Sequence, residues 1–300
     1  MPNITLKQLR YFEALARTGH FGRAAEVSAI SQPALSMQIK ELETGLGTAL
    51  FDRGARAVRL TAFGEEFAGR AREILRLVDE LEDASRMARD QLAGRLRMGV
   101  IPTVAPYLLP SVIGELTRAY PALELQLRET ITPKLLQELG EGRLDCAIVA
   151  LPVSEASLVE LPLFSEDFVL VRPLADAEKP VPSAETLREM RLLLLEEGHC
   201  FRDQALSFCN RQTVQPRELM DGSSLTTLVQ MVGAGIGVTL IPEMAVAVET
   251  RLAPVSVAAF APPRPSRQIG MVWRRSSPLA RQLVQIAEVV RRCGAGVAQI

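Results

Sequence analysis

Two cysteines, Cys200 and Cys209, are the residues of this chain whose type and spacing could support redox chemistry. Cys200 directly follows His199 and precedes Arg202 by two positions. Gly198 is expected to end a strand, and a helix is expected to begin at the cysteine. A helix amino terminus and neighbouring cationic groups favour the thiolate form of a cysteine, which is the nucleophilic form. Cys200 is therefore a candidate reactive thiol.

The second cysteine, Cys209, lies in a different setting and is a candidate resolving thiol. The two cysteines are nine residues apart, which on a helix corresponds to about 13.5 Å of rise and about half a turn. A disulfide requires Cα atoms within roughly 7 Å of each other. The two sulfurs therefore join only if the helix between them unwinds, which would couple oxidation to a large rearrangement. The alternative is that both cysteines are buried and act as small hydrophobic residues.

Residues 94–300 should supply the framework that positions this segment. Short apolar runs alternate with helical stretches, and this alternation indicates α/β units with a parallel sheet. The expected strands are 96–101, 123–127, 146–150, 168–171, 192–195, 238–241 and 269–273. Cys146 falls within one of them and is expected to be structural, whereas Cys293 has no redox context.

Residues 4–52 are predicted to form three helices in a helix-turn-helix arrangement. Apolar residues at helical spacing predict a first helix over about 6–17, which Gly19 ends, and a short second helix over 22–27. Ser31 is a good N-cap for a third helix, and Pro33 suits its first turn. Residues 1–60 carry eight Lys and Arg against five acids (net +3), and the remainder carries 26 against 30 (net −4). A basic amino-terminal end suits binding to phosphates.

The third helix carries the predicted DNA-reading surface. Leu35, Ile39 and Leu42 should face the core, which leaves neutral polar side chains that suit base edges in a major groove. The stretch 52–61 is similar to a β-wing whose arginines would contact the DNA backbone or minor groove. The candidate DNA-binding residues are Gln32, Pro33, Ser36, Met37, Gln38, Lys40, Arg53 and Arg56. The alternative is a plain three-helix bundle with a solvated polar helix.

The order of these residues resembles the LysR-type family of bacterial regulators. The resemblance is carried by 18–25 (TGHFGRAA), 31–36 (SQPALS), Leu46-Gly47 and Leu50-Phe51. It implies an α/β fold with a winged helix-turn-helix and a regulatory domain like that of periplasmic binding proteins, in which two subdomains enclose a ligand cleft. Met37 departs from the arginine often found in this family, so direct reading of guanine is not expected there.

This resemblance also implies the division of the chain. Residues 1–61 would bind DNA, 62–93 would form a linker and dimerisation helix, and 94–300 would form the regulatory domain. Its subdomains would be 94–165 with 266–300, and 166–265. Apolar residues recur every three to four positions over 61–92, so this helix should pair with another helix, in its own chain or in a second copy. The family favours the second copy, which would make a homodimer or homotetramer that binds a roughly palindromic operator.

A further resemblance covers nearly the whole chain. The segment 198–205 (GHCFRDQA) followed by Phe208-Cys209 is similar to the redox segment of the hydrogen peroxide-sensing LysR-type regulators, and 101–104, 107–110, 144–146, 224–228 and 237–242 match as well. The resemblance implies that Cys200 reacts with peroxide and that Cys209 is its disulfide partner. It implies a peroxide pocket in which two hydroxyls and a cation orient the peroxide and stabilise the leaving oxygen. The residues of this pocket would be Thr103, Thr132, His199, Arg202 and Arg267.

Three functions follow as hypotheses. The favoured one is a peroxide-responsive activator, not an enzyme, that binds double-stranded operator DNA and works with RNA polymerase. The second is a LysR-type regulator that binds a small-molecule effector in the cleft, with incidental cysteines. The third is a thiol peroxidase that carries a DNA-binding head, and it is the weakest because the sequence marks no site for a reductant.

Composition excludes several other classes of protein. With 48% hydrophobic and 23% charged residues, the chain matches an ordinary globular protein and not a disordered one. The sequence holds neither an apolar run of about 18 residues nor a signal peptide, so a cytoplasmic location without membrane contact is expected. Two histidines do not favour a zinc site, and neither a metal nor another cofactor is expected.

Overall fold

The first helix, α1 (Leu6–Thr18), begins at a capping box. The Thr5 hydroxyl accepts a hydrogen bond from the Gln8 amide, and the Gln8 side chain accepts one from the Thr5 amide. The helix ends at Gly19, whose φ of 60° lies in the left-handed region that favours glycine. The computed structural model describes residues 4–53, 58–87, 93–208 and 221–297, and these fall into one unit up to Ser85 and a second unit from Arg86.

The amino-terminal unit confirms the predicted helix-turn-helix. Helix α2 (Phe21–Val27) is followed by α3 (Gln32–Leu46). Ser31 is the N-cap of α3, and its hydroxyl accepts a hydrogen bond from the Ala34 amide. Strands β1 (Phe51–Arg53) and β2 (Val58–Leu60) pair antiparallel as a wing. Helix α4 (Ala62–Met87) follows it. The predicted α3 core residues, Leu35, Ile39 and Leu42, are buried together with residues of α1 and α2.

The second unit, from Arg86 onward and called the regulatory unit after the expectation above, alternates strands and helices. Its strands are β3 (Gly94–Val100), β4 (Leu123–Glu129), β5 (Cys146–Leu151), β6 (Leu158–Pro173), β7 (Leu194–Leu195), β8 (Asp221–Gly222), β9 (Thr239–Pro242), β10 (Val255–Ala259) and β11 (Ser266–Arg274). Its helices are α5 (Ala105–Ala119), α6 (Thr132–Gly140), α7 (Ala184–Glu189), α8 (Cys200–Phe208), α9 (Leu225–Gly233), α10 (Val246–Glu249) and α11 (Ala280–Val297).

The main sheet is mixed, so the prediction of a parallel sheet is wrong in part. Its order is β10-β6-β11-β5-β3-β4, with β9 also paired to β6. Strand β3 lies parallel to β4 and β5, whereas β11 lies antiparallel to both β5 and β6. The antiparallel pairing arises because β6 carries the chain away from β3, β4 and β5, and β11 brings it back alongside β6, with Ser266 opposite Asp167 and Arg274 opposite Leu158.

Strand β6 changes its partners along its length. From Leu158 to Asp167 it pairs with β11, and from Phe168 onward it pairs with β9 and β10. The first half was missed in the sequence because the carboxylates Glu160, Glu166 and Asp167 interrupt its apolar pattern. The predicted subdomain boundary, between residues 165 and 166, falls two residues before this change of partners.

No helix among the described residues is long and apolar enough to cross a membrane.

Candidate functional site

Helix α8 begins at Cys200, as predicted, and is described as far as Phe208. Gly198, two residues earlier, has a φ of 92°, in the left-handed region that favours glycine. Cys200 is a free, half-buried thiol at the amino terminus of this helix. The predicted resolving residue, Cys209, lies outside the described residues.

Phe201 packs the first turn of α8 against the rest of the regulatory unit. Its ring is 3% exposed and packs edge-to-face on Phe168, with the ring centroids 4.8 Å apart. The guanidinium carbon of Arg267 lies 5.4 Å from the centroid of the same ring. Aromatic pairs of this kind and desolvated cation–π contacts each contribute about 1–2 kcal/mol, so Phe201 fixes the position of the neighbouring thiol.

Arg267 connects Phe201 to the sheet and to a predicted pocket residue. Its side chain is fully buried and forms an ion pair with Glu166, in which Nε donates to Oε1 at 2.7 Å. Its Nη1 donates to the Thr103 hydroxyl at 2.7 Å, and its Nη2 donates to the Thr103 carbonyl at 3.0 Å. Burial raises the pKa of the Glu166 carboxyl, and the positive charge of Arg267 opposes that rise.

The predicted pocket residues are divided between two cavities. Thr132 and Cys200 line a cavity of about 660 Å³, whereas Thr103 and His199 line another of about 280 Å³. The guanidinium of Arg202 donates to the Leu195 carbonyl at 2.8 Å. The direct contact between two of the five predicted residues is the pair of hydrogen bonds from Arg267 to Thr103.

Two of these residues keep buried polar atoms without a hydrogen-bond partner among the described residues. These atoms are the hydroxyl oxygen of Thr132 and the Nδ1 of His199. Burial lowers the pKa of His199, and the charge of Glu196 opposes this effect, so the imidazole is neutral at neutral pH. A buried polar atom without a hydrogen-bond partner destabilises the folded protein by about 1–3 kcal/mol. A small polar ligand that hydrogen-bonds to these atoms would remove that cost.

Two further cysteines lie in settings that suppress thiol chemistry. Cys146, in β5, is fully buried, and burial together with the charge of Asp145 raises the pKa of its thiol well above the usual range. Cys293, in α11, is also buried. Among the described cysteines, Cys200 is the one with partial exposure.

The site contains partners of Arg267 that sequence reasoning did not assign. Glu166 is the first residue of one predicted subdomain, and a carboxylate inside an apolar run is itself a signal for a buried counter-ion. Phe201 is buried on α8, and its contact with Arg267 joins residues far apart in the chain. No local pattern encodes a contact of that kind.

The DNA-reading surface predicted on α3 is accessible. Gln32, Pro33, Met37 and Lys40 are exposed, and Ser36 and Gln38 are half-exposed. Of the wing residues, the backbone of Arg53 lies in β1, its side chain is not described, and Arg56 lies outside the described residues. The buried Leu35, Ile39 and Leu42 place the polar residues of this helix on the opposite face.

Two family models together match most of the chain. The bacterial regulatory helix-turn-helix of the LysR family matches residues 6–65, and the LysR substrate-binding domain matches residues 89–292. The chain therefore belongs to the LysR family of bacterial regulators. This membership confirms the predicted fold class and the prediction of a DNA-binding regulator instead of an enzyme.

Individual relatives within this family include peroxide-inducible activators and OxyR proteins of known structure. The chain is 43% identical over 292 residues to a probable hydrogen peroxide-inducible genes activator of Streptomyces viridosporus. The aligned region covers 96% of this chain and 93% of the relative. It is similar to a full-length OxyR variant of Pseudomonas aeruginosa, with 38% identity, a TM-score of 0.78 and coverage of 99% and 97%. It also resembles a hydrogen peroxide-bound OxyR cysteine variant of Corynebacterium glutamicum, with 37% identity, a TM-score of 0.67 and coverage of 100% and 94%.

Proposed function

We propose that this chain is a peroxide-responsive transcription activator, switched when hydrogen peroxide oxidises Cys200 and a disulfide to Cys209 follows. The observation that carries the proposal is a free, half-buried thiol at a helix amino terminus, on the wall of a cavity shared with Thr132, whose buried hydroxyl has no partner among the described residues. The names of the relatives, which include peroxide-inducible activators and a peroxide-bound OxyR, support the same function.

The chemistry takes two steps. The Cys200 thiolate attacks one peroxide oxygen, the O–O bond breaks, and the departing hydroxide takes a proton to become water. The sulfur is then a sulfenic acid, which the Cys209 thiol attacks to form the disulfide with loss of a second water. Sulfur loses two electrons and the peroxide gains them, so the reaction needs no further oxidant.

The pocket residues orient the peroxide. Because the Thr103 oxygen accepts a hydrogen bond from Arg267, its own proton is directed away from the guanidinium and can be donated to a peroxide oxygen. The buried hydroxyl of Thr132 offers a second donor. Neutral His199 adds a donor or acceptor on the wall that it shares with Thr103. The guanidinium groups of Arg202 and Arg267 are held by protein partners, so they stabilise the leaving oxygen through their charge and not by direct contact.

Disulfide formation requires α8 to unwind. The intact helix from Cys200 to Phe208 holds its two ends about 12 Å apart, whereas the disulfide needs Cα atoms within roughly 7 Å. Unwinding would draw Phe201 away from Phe168 and Arg267, which are held in β6 and β11. The local oxidation would thereby reach the long strands that join the two proposed subdomains, 94–165 with 266–300 and 166–265.

Disulfide mapping tests this proposal. The reduced protein is treated with one equivalent of hydrogen peroxide, digested under alkylating conditions and analysed by mass spectrometry. We expect a Cys200–Cys209 disulfide, with Cys146 and Cys293 recovered as alkylated thiols because both are buried. Recovery of Cys200 as an alkylated thiol after peroxide treatment would refute the proposed function.

The proposed DNA contacts lie on α3 and the wing. Gln32, Ser36 and Gln38 would read base edges, and Met37 would contact a thymine methyl group. Pro33, Lys40, Arg53 and Arg56 would fix the helix against the phosphate backbone. The exposed apolar residues Ile74, Leu77 and Leu81 of α4 support dimerisation through this helix. In the division that we propose, residues 1–61 bind DNA, 62–93 form this dimerisation helix, and 94–300 form the regulatory domain.

The Lys40→Ala variant tests the phosphate contact. Lys40 is exposed on α3, so its removal should weaken binding to specific and nonspecific duplexes alike and reduce the slope of log K against log salt by about 1. Fluorescence anisotropy across a salt series measures both effects. The matched control is Lys134→Ala, an exposed lysine of the regulatory unit, which should leave the slope unchanged. An unchanged slope in Lys40→Ala would remove this residue from the interface.

An effector-binding regulator is the second candidate. The 280 Å³ cavity supports it, because Tyr107 on its wall donates a buried hydrogen bond at 2.7 Å to Glu249, from the other proposed subdomain. Under this hypothesis peroxide would leave Cys200 reduced, and a metabolite would change DNA binding instead. In either case, we propose that the active regulator is a homodimer or homotetramer. It would act in the cytoplasm and contact RNA polymerase.

A further inference from the structure

A further cavity lies in the proposed subdomain 166–265. Its volume is about 350 Å³, within the range of roughly 300–1,000 Å³ in which organic ligands bind. Strand β6, the segment 176–183 and helix α7 with the residue that follows it form the wall. The described residues of this wall are all different from those that line the cavities at Cys200 and at Thr103. The cavity is therefore separate from the proposed redox chemistry.

Arg172, in β6, places a buried guanidinium on this wall. The residue is 7% exposed. Its Nη1 donates to the carbonyls of Lys179 and Pro180 at 2.6 and 3.5 Å, and its Nη2 donates to the Ala177 carbonyl at 2.7 Å. Its Nε is buried and has no hydrogen-bond partner among the described residues. Because carbonyl groups accept hydrogen bonds but carry no net charge, they do not neutralise the guanidinium.

The charge of Arg172 has no counter-ion among the residues that the structure describes. Arg267, which is also buried, pairs with the buried carboxylate of Glu166. Asp176 lies on the same wall as Arg172, but its carboxylate is paired with Lys179 at 2.7 Å. Buried charges in proteins are normally paired with an opposite charge. An anionic group in the cavity would supply the partner that Arg172 lacks.

The rest of the wall is suited to an organic anion. Its apolar residues are Leu170, Pro180, Val181, Pro182 and Met190. The hydroxyls of Ser183 and Thr186, on the same wall, hydrogen-bond to each other at 3.1 Å, which leaves one hydroxyl proton for a ligand. With Arg172 and Lys179 against Asp176, the described wall carries a net charge of +1. A ligand with an apolar body and one negative end matches this combination.

We propose that this cavity binds a small organic carboxylate. Its carboxylate would face Arg172 and Lys179, and its hydrocarbon part would lie against Val181 and Met190. The apolar part distinguishes such a ligand from an inorganic anion, which would leave this surface uncovered. The inference does not rest on the proposed function, because Cys200 lies on the wall of a different cavity.

The test is a titration of full-length, reduced protein with a pentanoate that carries a terminal trifluoromethyl group, followed by fluorine NMR. We expect a dissociation constant of about 1 mM or lower, as is usual for a ligand of this size. The matching alcohol has the same chain without the charge. It should bind at least about tenfold more weakly, because hydrogen bonds to charged groups are the stronger ones.

The Val181→Glu variant tests the location of the site. Val181 is 39% exposed, so the fold should tolerate a glutamate there. The new carboxylate removes apolar contact and repels the ligand, which should weaken binding of the pentanoate at least about tenfold. The matched control is Leu252→Glu, because Leu252 is 87% exposed and lines none of the described cavities. Thermal melting of both variants verifies that they are folded.

The Arg172→Met variant tests recognition of the charge. It should lower the affinity for the pentanoate to about that for the alcohol, a loss of at least about tenfold, and leave the affinity for the alcohol unchanged. A site in which Arg172 only shapes the wall would lose affinity for both ligands alike. If this variant does not fold, the comparison of the two ligands on Val181→Glu and Leu252→Glu still decides the question.

Three results would overturn the inference. They are absence of pentanoate binding up to about 10 mM, equal affinity of the wild type for the pentanoate and the alcohol, and equal weakening in Val181→Glu and Leu252→Glu. Each would leave the proposed function intact, because oxidation of Cys200 is measured separately. Conversely, a Cys200 thiol that resists peroxide would refute the proposed function and leave this binding site untouched.

Discussion

The Cys200→Ser variant should lose the peroxide response of DNA binding completely. Serine lacks a nucleophilic thiolate, so the rate of peroxide-driven switching should fall by at least about 100-fold. The measurement is a footprint on a promoter fragment that the protein protects, recorded with and without hydrogen peroxide. The wild-type footprint should change on oxidation, and the footprint of the variant should stay in the reduced pattern.

The matched control for this variant is Cys293→Ser. Cys293 is 7% exposed and lies in α11, so its loss should leave the peroxide response intact. Cys146 is less informative as a control because it is fully buried in the sheet, and a serine there would place a hydroxyl in an apolar core. A peroxide-dependent footprint in Cys200→Ser, with Cys293→Ser behaving as wild type, would exclude Cys200 as the sensor.

The Arg267→Met variant should be strongly destabilised. Arg267 is fully buried and pairs with Glu166, which is also buried, and removal of one partner of a buried ion pair costs about 3–5 kcal/mol. For a domain of this size that loss lowers the melting temperature by roughly 10 °C. The added Glu166→Gln substitution should restore part of the loss, because it removes the unpaired charge.

A neighbouring ion pair, between Asp167 of β6 and Arg264 just before β11, provides the control. Arg264 and Asp167 are in contact at 3.2 Å, and their side chains are 48% and 33% exposed, so Arg264→Met should cost less than about 1 kcal/mol. Equal melting temperatures for Arg264→Met and Arg267→Met would show that the buried pair has no special role in stability.

The instability of Arg267→Met should depend on pH. Burial raises the pKa of Glu166, and Arg267 opposes that rise, so the pKa in the variant should be higher still. A carboxyl whose pKa is raised on folding favours the native state below its unfolded pKa, which is near 4.5. That advantage is lost as the pH rises through the folded pKa. Melting curves from pH 5 to 8 should therefore show a deficit that grows with pH. When Glu166→Gln is added, the remaining deficit should no longer change with pH, because the titrating carboxyl is gone.

Much of the fold could be predicted from sequence because its signals are local. Thr18 to Gly19 ends α1, Ser31 caps α3, and Cys200 begins α8, as expected from capping and glycine rules. The mixed sheet was missed because strand direction depends on pairing between β6 and β11, which lie about 100 residues apart in the chain.

The site was predicted with less completeness because its contacts are long-range. The spacing of Cys200 and Cys209 defined a candidate switch, and the family resemblance supplied the expected roles of Thr103 and Arg267. The hydrogen bond between those two residues spans 164 positions, and the contact of Arg267 with Phe201 likewise depends on tertiary packing. The separation of Thr103 and Thr132 into different cavities depends on helix placement that no motif specifies.

Amide hydrogen exchange of α8, measured before and after oxidation, tests the unwinding mechanism most directly. One equivalent of hydrogen peroxide is added, formation of the Cys200–Cys209 disulfide is verified in the same sample, and peptides from 201–208 are compared with peptides from α11. We expect exchange in 201–208 to become at least about tenfold faster as the helical hydrogen bonds are lost, with α11 unchanged. A sample that contains the disulfide and retains full protection over 201–208 would contradict the mechanism.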